Sequence, residues 1–281
     1  MKKIVSLAFV LLFGISLHAL QTPEILGISS LTFKVSSLSM ARDYYGKLLG
    51  FSEAFSYYDC EGAKILAFKV NDRQYIQVSV DAGVEPDKAL VKVSVLVSSA
   101  SQMHGFISSK GWEVSPLATD GAGEKVFSCL DADGNLVEFI EYMPKGKHMQ
   151  CTGRKLSRRR VSDRILHAGL PSPRVDSADP FWVGVLGCRE TISVGSGGRF
   201  IHYLRLGSSL EFIEHYSPSG ADFAHPCLQT MDLQATLDLL RSRGGTDQLG
   251  EPGIGLTRRW IYNALNPDGV RVEFSEPFCI E

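Results

Sequence analysis

Two stretches of the chain repeat the same residue pattern at a distance of about 135 positions. The stretch 30–51 aligns with 167–188 without a gap, and each carries a Leu-Gly pair after apolar residues at helical spacing. Further on, DADGNLVEFIE (131–141) aligns with NPDGVRVEFSE (266–276), sharing the Asp-Gly turn and the Glu-Phe-x-Glu ending. Such a repeat predicts two structural copies, and 281 residues suffice for two domains.

Each half divides again into two strand–helix–strands units. In the first half the patterns predict strands at 27–35, 63–70, 74–80, 91–97, 125–130 and 136–142, with helices at 38–49 and 101–110. The second half repeats this order, with helices near 176–186 and 233–243. The predicted fold class is therefore α+β, built from four βαβββ units. The basic, aperiodic segment 146–160 is expected to link a first domain at 24–145 to a second at 161–277.

The first residues have the pattern of a secretory signal peptide rather than of a folded element. Lys2 and Lys3 precede an apolar run over 4–17, and the small residue Ala19 offers a cleavage point. The run is shorter than the ~20 residues of a membrane span. We expect residues 1–19 to be removed on export to a periplasmic or extracellular location, leaving no membrane segment.

Cysteine content and charge limit the possible disulfides, partners and cofactors. An exported chain would carry its six cysteines into an oxidising compartment, where the 15 possible pairings cannot be distinguished from sequence. The balance of 29 basic and 31 acidic residues gives no basic field, so nucleic acid is not an expected partner. GEPGIG (250–255) lacks the strand and helix context of a dinucleotide loop, so no nucleotide cofactor is predicted.

At this level the chain resembles a known superfamily. Four βαβββ units, helices that end in LLGF or VLGC, and the hairpin D-x-D-G-N-x-x-E resemble the vicinal oxygen chelate superfamily. That superfamily includes glyoxalase I, bleomycin-resistance proteins, methylmalonyl-CoA epimerase and extradiol dioxygenases. The resemblance covers about residues 24–277 and implies two tandem glyoxalase-like domains with curved mixed sheets. It also implies a divalent metal on a concave sheet face.

The resemblance places the metal ligands on the first and last strands of each unit. The matching positions are His167, Glu211, His225 and Glu273 in the second half and Ser30, Gln77, Lys92 and Glu138 in the first. Only the second half offers two imidazoles with carboxylates, a set that suits Fe(II), Zn, Ni or Mn. Taken singly, each could be an ordinary hydrogen-bonded strand residue. In the first half Lys92 puts a cation where a ligand would stand, so we expect that site to be degenerate, with Lys92 paired to Glu138.

Three functions remain open at this stage. In a dioxygenase, His167, His225 and Glu273 would hold Fe(II), but Asn263 stands where that family has a tyrosine. In a glyoxalase- or epimerase-type lyase or isomerase, Glu211 would be a fourth ligand, and Glu211 or Glu273 would move the proton. The alternative is a non-catalytic small-molecule-binding protein of bleomycin-resistance type. In each case the partner is a small molecule, and the chain is a monomer or homodimer.

Overall fold

Each half of the repeat builds one curved eight-stranded sheet. The computed structural model describes residues 22–173, 179–217, 223–245 and 251–279. The first sheet has the order β2-β3-β4-β1-β5-β8-β7-β6. Its strands are β1 (Ile25–Val35), β2 (Ser52–Tyr58), β3 (Lys64–Lys69), β4 (Tyr75–Val80), β5 (Leu90–Val97), β6 (Ala118–Thr119), β7 (Lys125–Leu130) and β8 (Leu136–Glu141).

The second sheet repeats this topology strand for strand, in the order β10-β11-β12-β9-β13-β16-β15-β14. Its strands are β9 (Ile165–Pro171), β10 (Arg189–Ser196), β11 (Arg199–Arg205), β12 (Phe212–Tyr216), β13 (His225–Gln229), β14 (Gly253–Ile254), β15 (Arg259–Leu265) and β16 (Arg271–Cys279). In both sheets the two central strands run antiparallel and each has a parallel outer neighbour. The expected α+β fold of two tandem glyoxalase-like domains with mixed sheets is confirmed.

The helices are short and lie between strands. α1 (Leu38–Ala41) begins at the Ser37 cap and continues into a π-helix (Arg42–Leu48). The other helices among the described residues are a 3₁₀ turn (Pro86–Lys88), α2 (Ala100–Ser109), α3 (Lys147–Gln150) and α4 (Leu233–Ser242).

The π-type geometry recurs in the second half at the predicted helix near 176–186. Leu49 N donates to Tyr44 O, and at the matching positions Leu186 N donates to Phe181 O. Residues 181–186 form successive turns rather than a regular helix, and 174–178 lie outside the described residues.

The two repeated hairpins form as local turn chemistry predicts. Gly134 and Gly269 have φ values of 87° and 77°, which glycine adopts without the strain that a Cβ would bring. The side chain of Asp131 accepts from two amides of its turn, and Asn266 does the same in the second hairpin. The repeat therefore preserves the turn although aspartate is exchanged for asparagine.

The basic segment predicted to link the two domains packs on the first sheet. It contains α3, and the His148 side chain is fully buried beside Glu124, with Nδ1 2.9 Å from Oε1. The buried ammonium of Lys69 donates to the carbonyls of Cys151 and Arg154. A buried amine needs such acceptors, so these contacts anchor the segment. His148 is the residue of this segment whose side chain is fully buried against the first domain.

The predicted signal peptide, residues 1–19, lies outside the described residues. Export therefore stays a prediction, as does the oligomeric state. Among the described residues no helix has both the length and the apolar character to cross a membrane. Five cysteines have described side chains, and all five are free thiols: Cys60, Cys129, Cys151, Cys188 and Cys227.

Candidate metal centre

Four polar side chains meet on one face of the second sheet, each from a different one of its four middle strands. His167 lies on β9, Glu214 on β12, His225 on β13 and Glu273 on β16. The register explains the convergence: Gly169, two residues after His167, is opposite both Glu214 and His225. Residues directly opposite one another share a face of the sheet. The strand pairing therefore directs all four side chains to one place.

Gly169 makes room for this cluster. A Cβ at this position would overlap the imidazole ring of His225. Because glycine has no side chain, the ring can lie across the neighbouring strand. His225 thereby reaches the centre of the face.

The ligating atoms lie at the spacing of atoms that share one ion. His167 Nε2 is 3.0 Å from Glu214 Oε2 and 3.6 Å from Glu273 Oε1. His225 Nε2 is 3.4 Å from Glu214 Oε2 and 3.8 Å from Glu273 Oε2. Nitrogen and oxygen ligands bound at 2.0–2.2 Å to one ion are separated by roughly 3–4 Å.

Protonation within the cluster suits metal ligation. His225 Nδ1 lies 3.0 Å from the carbonyl oxygen of Phe223, which only accepts, so Nδ1 carries the proton and Nε2 presents its lone pair. Burial lowers the pKa of His225, and the nearby Arg271 lowers it further. Burial alone would raise the pKa of Glu214, but His167 and His225 hold it well below its usual range. The cluster thus combines a neutral imidazole with an ionised carboxylate.

Three buried atoms of the cluster are without hydrogen bonds to the described residues: Nδ1 and Nε2 of His167, and Oε2 of Glu214. Two of them, His167 Nε2 and Glu214 Oε2, lie 3.0 Å apart at the centre. Buried polar atoms are rarely left in this condition, because the cost of their desolvation is not recovered. A divalent cation between Nε2 and Oε2 would satisfy both of these atoms, so the donor set fits a metal such as Fe(II), Zn, Ni or Mn.

Arg271 brings a positive charge to the edge of this cluster. Its Nη2 donates to His225 Nε2 at 2.7 Å and to Glu273 Oε2 at 3.0 Å. The guanidinium therefore contacts two of the atoms that would bind a metal. It also lines a cavity of about 360 Å³ above the cluster, together with Tyr203, Tyr216 and Asn263.

Glu211, predicted as a fourth ligand and a proton carrier, is not part of this cluster. Its Oε2 accepts a hydrogen bond from the backbone amide of Ile28 in the first half, at 2.9 Å. Gly27 leaves the space that this carboxylate occupies. Burial raises the pKa of Glu211, and the Ile28 amide opposes the rise. Glu211 is three residues from Glu214, and an odd separation along extended chain directs side chains to opposite faces.

The sequence did contain a signal for Glu214. Ser30 and Gln77 are 47 residues apart, and the same spacing counted from His167 gives 214 rather than 211. The sheet register agrees, because Gln77 is opposite Thr32 just as Glu214 is opposite Gly169. Sequence reasoning also missed Arg271 as a contact of the cluster.

Cys227 is a further residue that sequence reasoning did not place at the cluster. It lies opposite both His167 and Glu273, so its thiol shares their face. Burial raises the pKa of Cys227 well above its usual value, and Glu273 adds to the effect. The residue is therefore a neutral thiol in the metal-free protein.

The matching face of the first half is closed by its own hydrogen bonds. Lys92 Nζ lies 2.5 Å from Glu138 Oε2, so the predicted pair forms, and the Ser94 hydroxyl donates to Glu138 Oε1. Gln77 Oε1 accepts from Thr32 and Tyr57. Among the described residues, the side chains of Lys92, Glu138 and Gln77 therefore have hydrogen-bond partners within the first half.

Comparison with known proteins agrees with the topology. No family model and no curated protein matches the chain by sequence. Among solved structures, the Mn(II)-bound glyoxalase from Novosphingobium aromaticivorans is 18% identical with a TM-score of 0.70, covering 90% of this chain and 82% of that one. Homoprotocatechuate 2,3-dioxygenase from Brevibacterium fuscum, in complex with 3,4-dihydroxyphenylacetate, is 17% identical with a TM-score of 0.69, covering 92% and 82%. The chain therefore has the two-domain fold of these two proteins, which is the fold that its sequence resemblance implied.

Proposed function

We propose that the chain is a divalent-metal-dependent enzyme of the glyoxalase or dioxygenase type, acting on a small substrate held through two oxygens. The observation that carries this proposal is the convergence of His167, His225, Glu214 and Glu273, with buried atoms at the centre that lack hydrogen bonds. When bound, the metal would act as a Lewis acid that polarises the two oxygens. Glu214 takes the place that the sequence resemblance gave to Glu211.

The number of protein ligands favours proton transfer over oxygen chemistry. Four ligands leave about two positions on an octahedral ion, enough for a bidentate substrate but not for dioxygen as well. Glu214 and Glu273 both line the cavity, so either carboxylate can take a proton from a bound substrate and return it. This is the pattern of a lyase or isomerase.

The cavity above the cluster suits a small organic molecule. Tyr203 and Tyr216 supply aromatic walls, and Asn263 and Arg271 supply polar groups. Asn263 occupies the position where the dioxygenase family has a tyrosine, which further favours a lyase or isomerase. Burial and Glu214 together raise the pKa of Tyr203 well above its usual value, so its hydroxyl stays protonated beside the cluster.

The decisive experiment compares two carboxylates three residues apart. Glu214→Gln is expected to lower the affinity for Zn(II) or Mn(II) at least tenfold, because one anionic ligand is lost. Glu211→Gln is the matched control, since that side chain binds Ile28 instead, and it should bind metal as the wild type does. Absence of stoichiometric metal in the wild type after reconstitution with Fe(II), Zn(II), Ni(II) and Mn(II) would overturn the proposal and leave a binding protein.

Activity assays then separate the two reaction types. The metal-loaded protein is incubated with the hemithioacetal of a 2-oxoaldehyde and, separately, with catechol under an oxygen electrode. Conversion of the hemithioacetal without oxygen uptake is the expected result. Oxygen uptake with catechol would instead assign a dioxygenase and remove Glu214 from the ligand set.

A further inference from the structure

We propose that Cys227 is a sulfur ligand of the candidate metal centre, which together with His167 and Glu273 binds soft cations such as Cd(II). One ligand atom from each of these three residues lies within 4.8 Å of the other two. We call these three residues the sulfur set, and His167, His225, Glu214 and Glu273 the nitrogen–oxygen set. The inference rests on the proposed function for the position of the centre and adds the choice of metal ion.

The register of three strands brings the thiol of Cys227 to the cluster. Cys227 lies on β13, two residues after His225, so both side chains lie on the same face of the sheet. It is directly opposite His167 on β9 and Glu273 on β16. The residue is fully buried. The sulfur is therefore held among the metal-binding side chains and is screened from solvent.

His167 is the independent observation that indicates a ligand here. Its side chain is 0% exposed, and neither ring nitrogen makes a hydrogen bond to the described residues. It belongs to two groups of closely spaced donor atoms, one with Glu214 and His225 and the other with Cys227 and Glu273. A buried cysteine among apolar side chains ordinarily acts as a small hydrophobe. Beside a buried imidazole without hydrogen bonds, the thiol is instead a second donor for the same ion.

The position of Arg271 is compatible with the sulfur set as it stands. Its Nη2 donates to His225 Nε2 and to Glu273 Oε2, so an ion held by the nitrogen–oxygen set must break the bond to His225. The sulfur set does not use His225. The other carboxylate oxygen, Glu273 Oε1, lies 3.6 Å from His167 Nε2. An ion bound between these two atoms therefore leaves both hydrogen bonds of Arg271 in place.

Sulfur selects a different class of ion from the carboxylates. Thiolate ligands favour soft cations, whereas carboxylate oxygens favour harder ions such as Mn(II). The cation takes the place of the thiol proton, which passes to the buffer. Three protein ligands also suit a four-coordinate ion with one open position. The two overlapping sets thus allow one cluster to bind hard and soft ions through different atoms.

The fold itself does not require sulfur at this position. Ser94 is the equivalent residue of the first half, opposite Ser30 and Glu138. Its hydroxyl donates to Glu138 Oε1. The same strand pairing therefore accepts a serine, so Cys227→Ser tests the sulfur atom and not the packing of the sheet.

The experiment loads full-length protein with one equivalent of Cd(II), in a Cys60→Ser background because Cys60 is an exposed free thiol. The parent should show the ultraviolet charge-transfer absorption of a sulfur–cadmium bond. Cys227→Ser should lose this absorption and bind Cd(II) at least about tenfold more weakly, with its Mn(II) affinity unchanged. Cys188→Ser is the matched control, because Cys188 is a buried cysteine of the second half that belongs to neither set, and it should keep the absorption.

Glu214→Gln gives the reciprocal result, because it should weaken Mn(II) binding and leave the Cd(II) absorption intact. Absorption that survives in Cys227→Ser, in a protein that binds Mn(II), would overturn the sulfur set and leave the proposed function standing. Absorption that depends on Cys227, in a protein that binds none of Fe(II), Zn(II), Ni(II) and Mn(II), would support the sulfur set and remove the proposed function. Absence of Cd(II) binding by the parent would also refute the sulfur set. Cys227→Ala repeats the measurement if Cys227→Ser does not fold.

Discussion

The two halves of the chain present equivalent positions on their concave faces but fill them with opposite chemistry. The strand registers pair the positions as Ser30 with His167, Gln77 with Glu214, Lys92 with His225, Ser94 with Cys227 and Glu138 with Glu273. In the first half the ammonium of Lys92 lies on this face and pairs with Glu138. In the second half His167 and His225 take the positions of Ser30 and Lys92, and atoms of His167 and Glu214 are left without hydrogen bonds to the described residues.

This difference separates what the fold provides from what the side chains decide. The fold brings four positions together in both halves, because the strand order is the same. Whether they hold a metal depends on the charge at the position of Lys92 and His225. In the first half the charge of Lys92 neutralises Glu138. In the second half a neutral His225 leaves the negative charge of Glu214 and Glu273 to bind a metal.

The largest expected effect comes from removing an imidazole from the second half. His167→Ala should lower the metal affinity of the candidate metal centre by at least about 100-fold, since a ligand is lost rather than a supporting contact. Ser30→Ala changes the equivalent position of the first half and should leave affinity unchanged. Metal titration against a competing chelator measures both. Equal effects in the two variants would contradict the assignment of the site to the second half.

The next effect concerns the internal cation of the first half. Lys92→Met leaves Glu138 buried without its partner, and the free energy of unfolding should fall by about 3 kcal/mol. Lys34→Met is the control, because the Lys34–Asp81 pair is exposed and should contribute less than about 1 kcal/mol. Urea unfolding measures both. A loss under ~1 kcal/mol in Lys92→Met would show that the pair does not stabilise the first half.

A smaller effect is expected from the guanidinium at the edge of the second cluster. Arg271 donates to His225 and Glu273, so a metal must displace it from both atoms. Arg271→Leu should therefore tighten metal binding about tenfold, since one hydrogen bond to a charged group is worth about 1.5 kcal/mol or more. Arg189→Leu, on the exposed edge strand, should change nothing. Weaker binding in Arg271→Leu would mean that the arginine positions the ligands instead of competing for them.

The smallest expected effect is a difference between the two halves in how the stability of the metal-free protein depends on pH. His225 has a lowered pKa from burial, so the unfolded chain takes up its proton first and stability should fall as pH drops below about 6.5. His225→Gln should reduce the loss of stability between pH 6.5 and 5.5. Burial alone would lower the pKa of Lys92, but Glu138 holds it above its usual value. That stabilisation is therefore present at neutral pH and lost only as pH rises through the raised pKa.

Urea unfolding midpoints measured as a function of pH test this difference. The slope of the midpoint against pH between 6.5 and 5.5 should flatten in His225→Gln and stay unchanged in Lys92→Met. A flattened slope in Lys92→Met would assign the titration to the first half.

Local sequence patterns were sufficient for much of the fold. The hairpins of Asp133-Gly134 and Asp268-Gly269 form because a turn depends on its own few residues. The alternation of strand residues brought His167, His225 and Glu273 to one face. Prediction at this level needs only near neighbours and the period of the strand.

Tertiary structure decided which carboxylate completes the cluster and what surrounds it. Whether Glu211 or Glu214 faces the imidazoles depends on the register of β12 against β9, which is set by contacts between strands more than 40 residues apart. The direction of Arg271 and the packing of His148 likewise depend on distant segments. Such contacts form only when the whole chain packs, because no local pattern carries the register between distant strands.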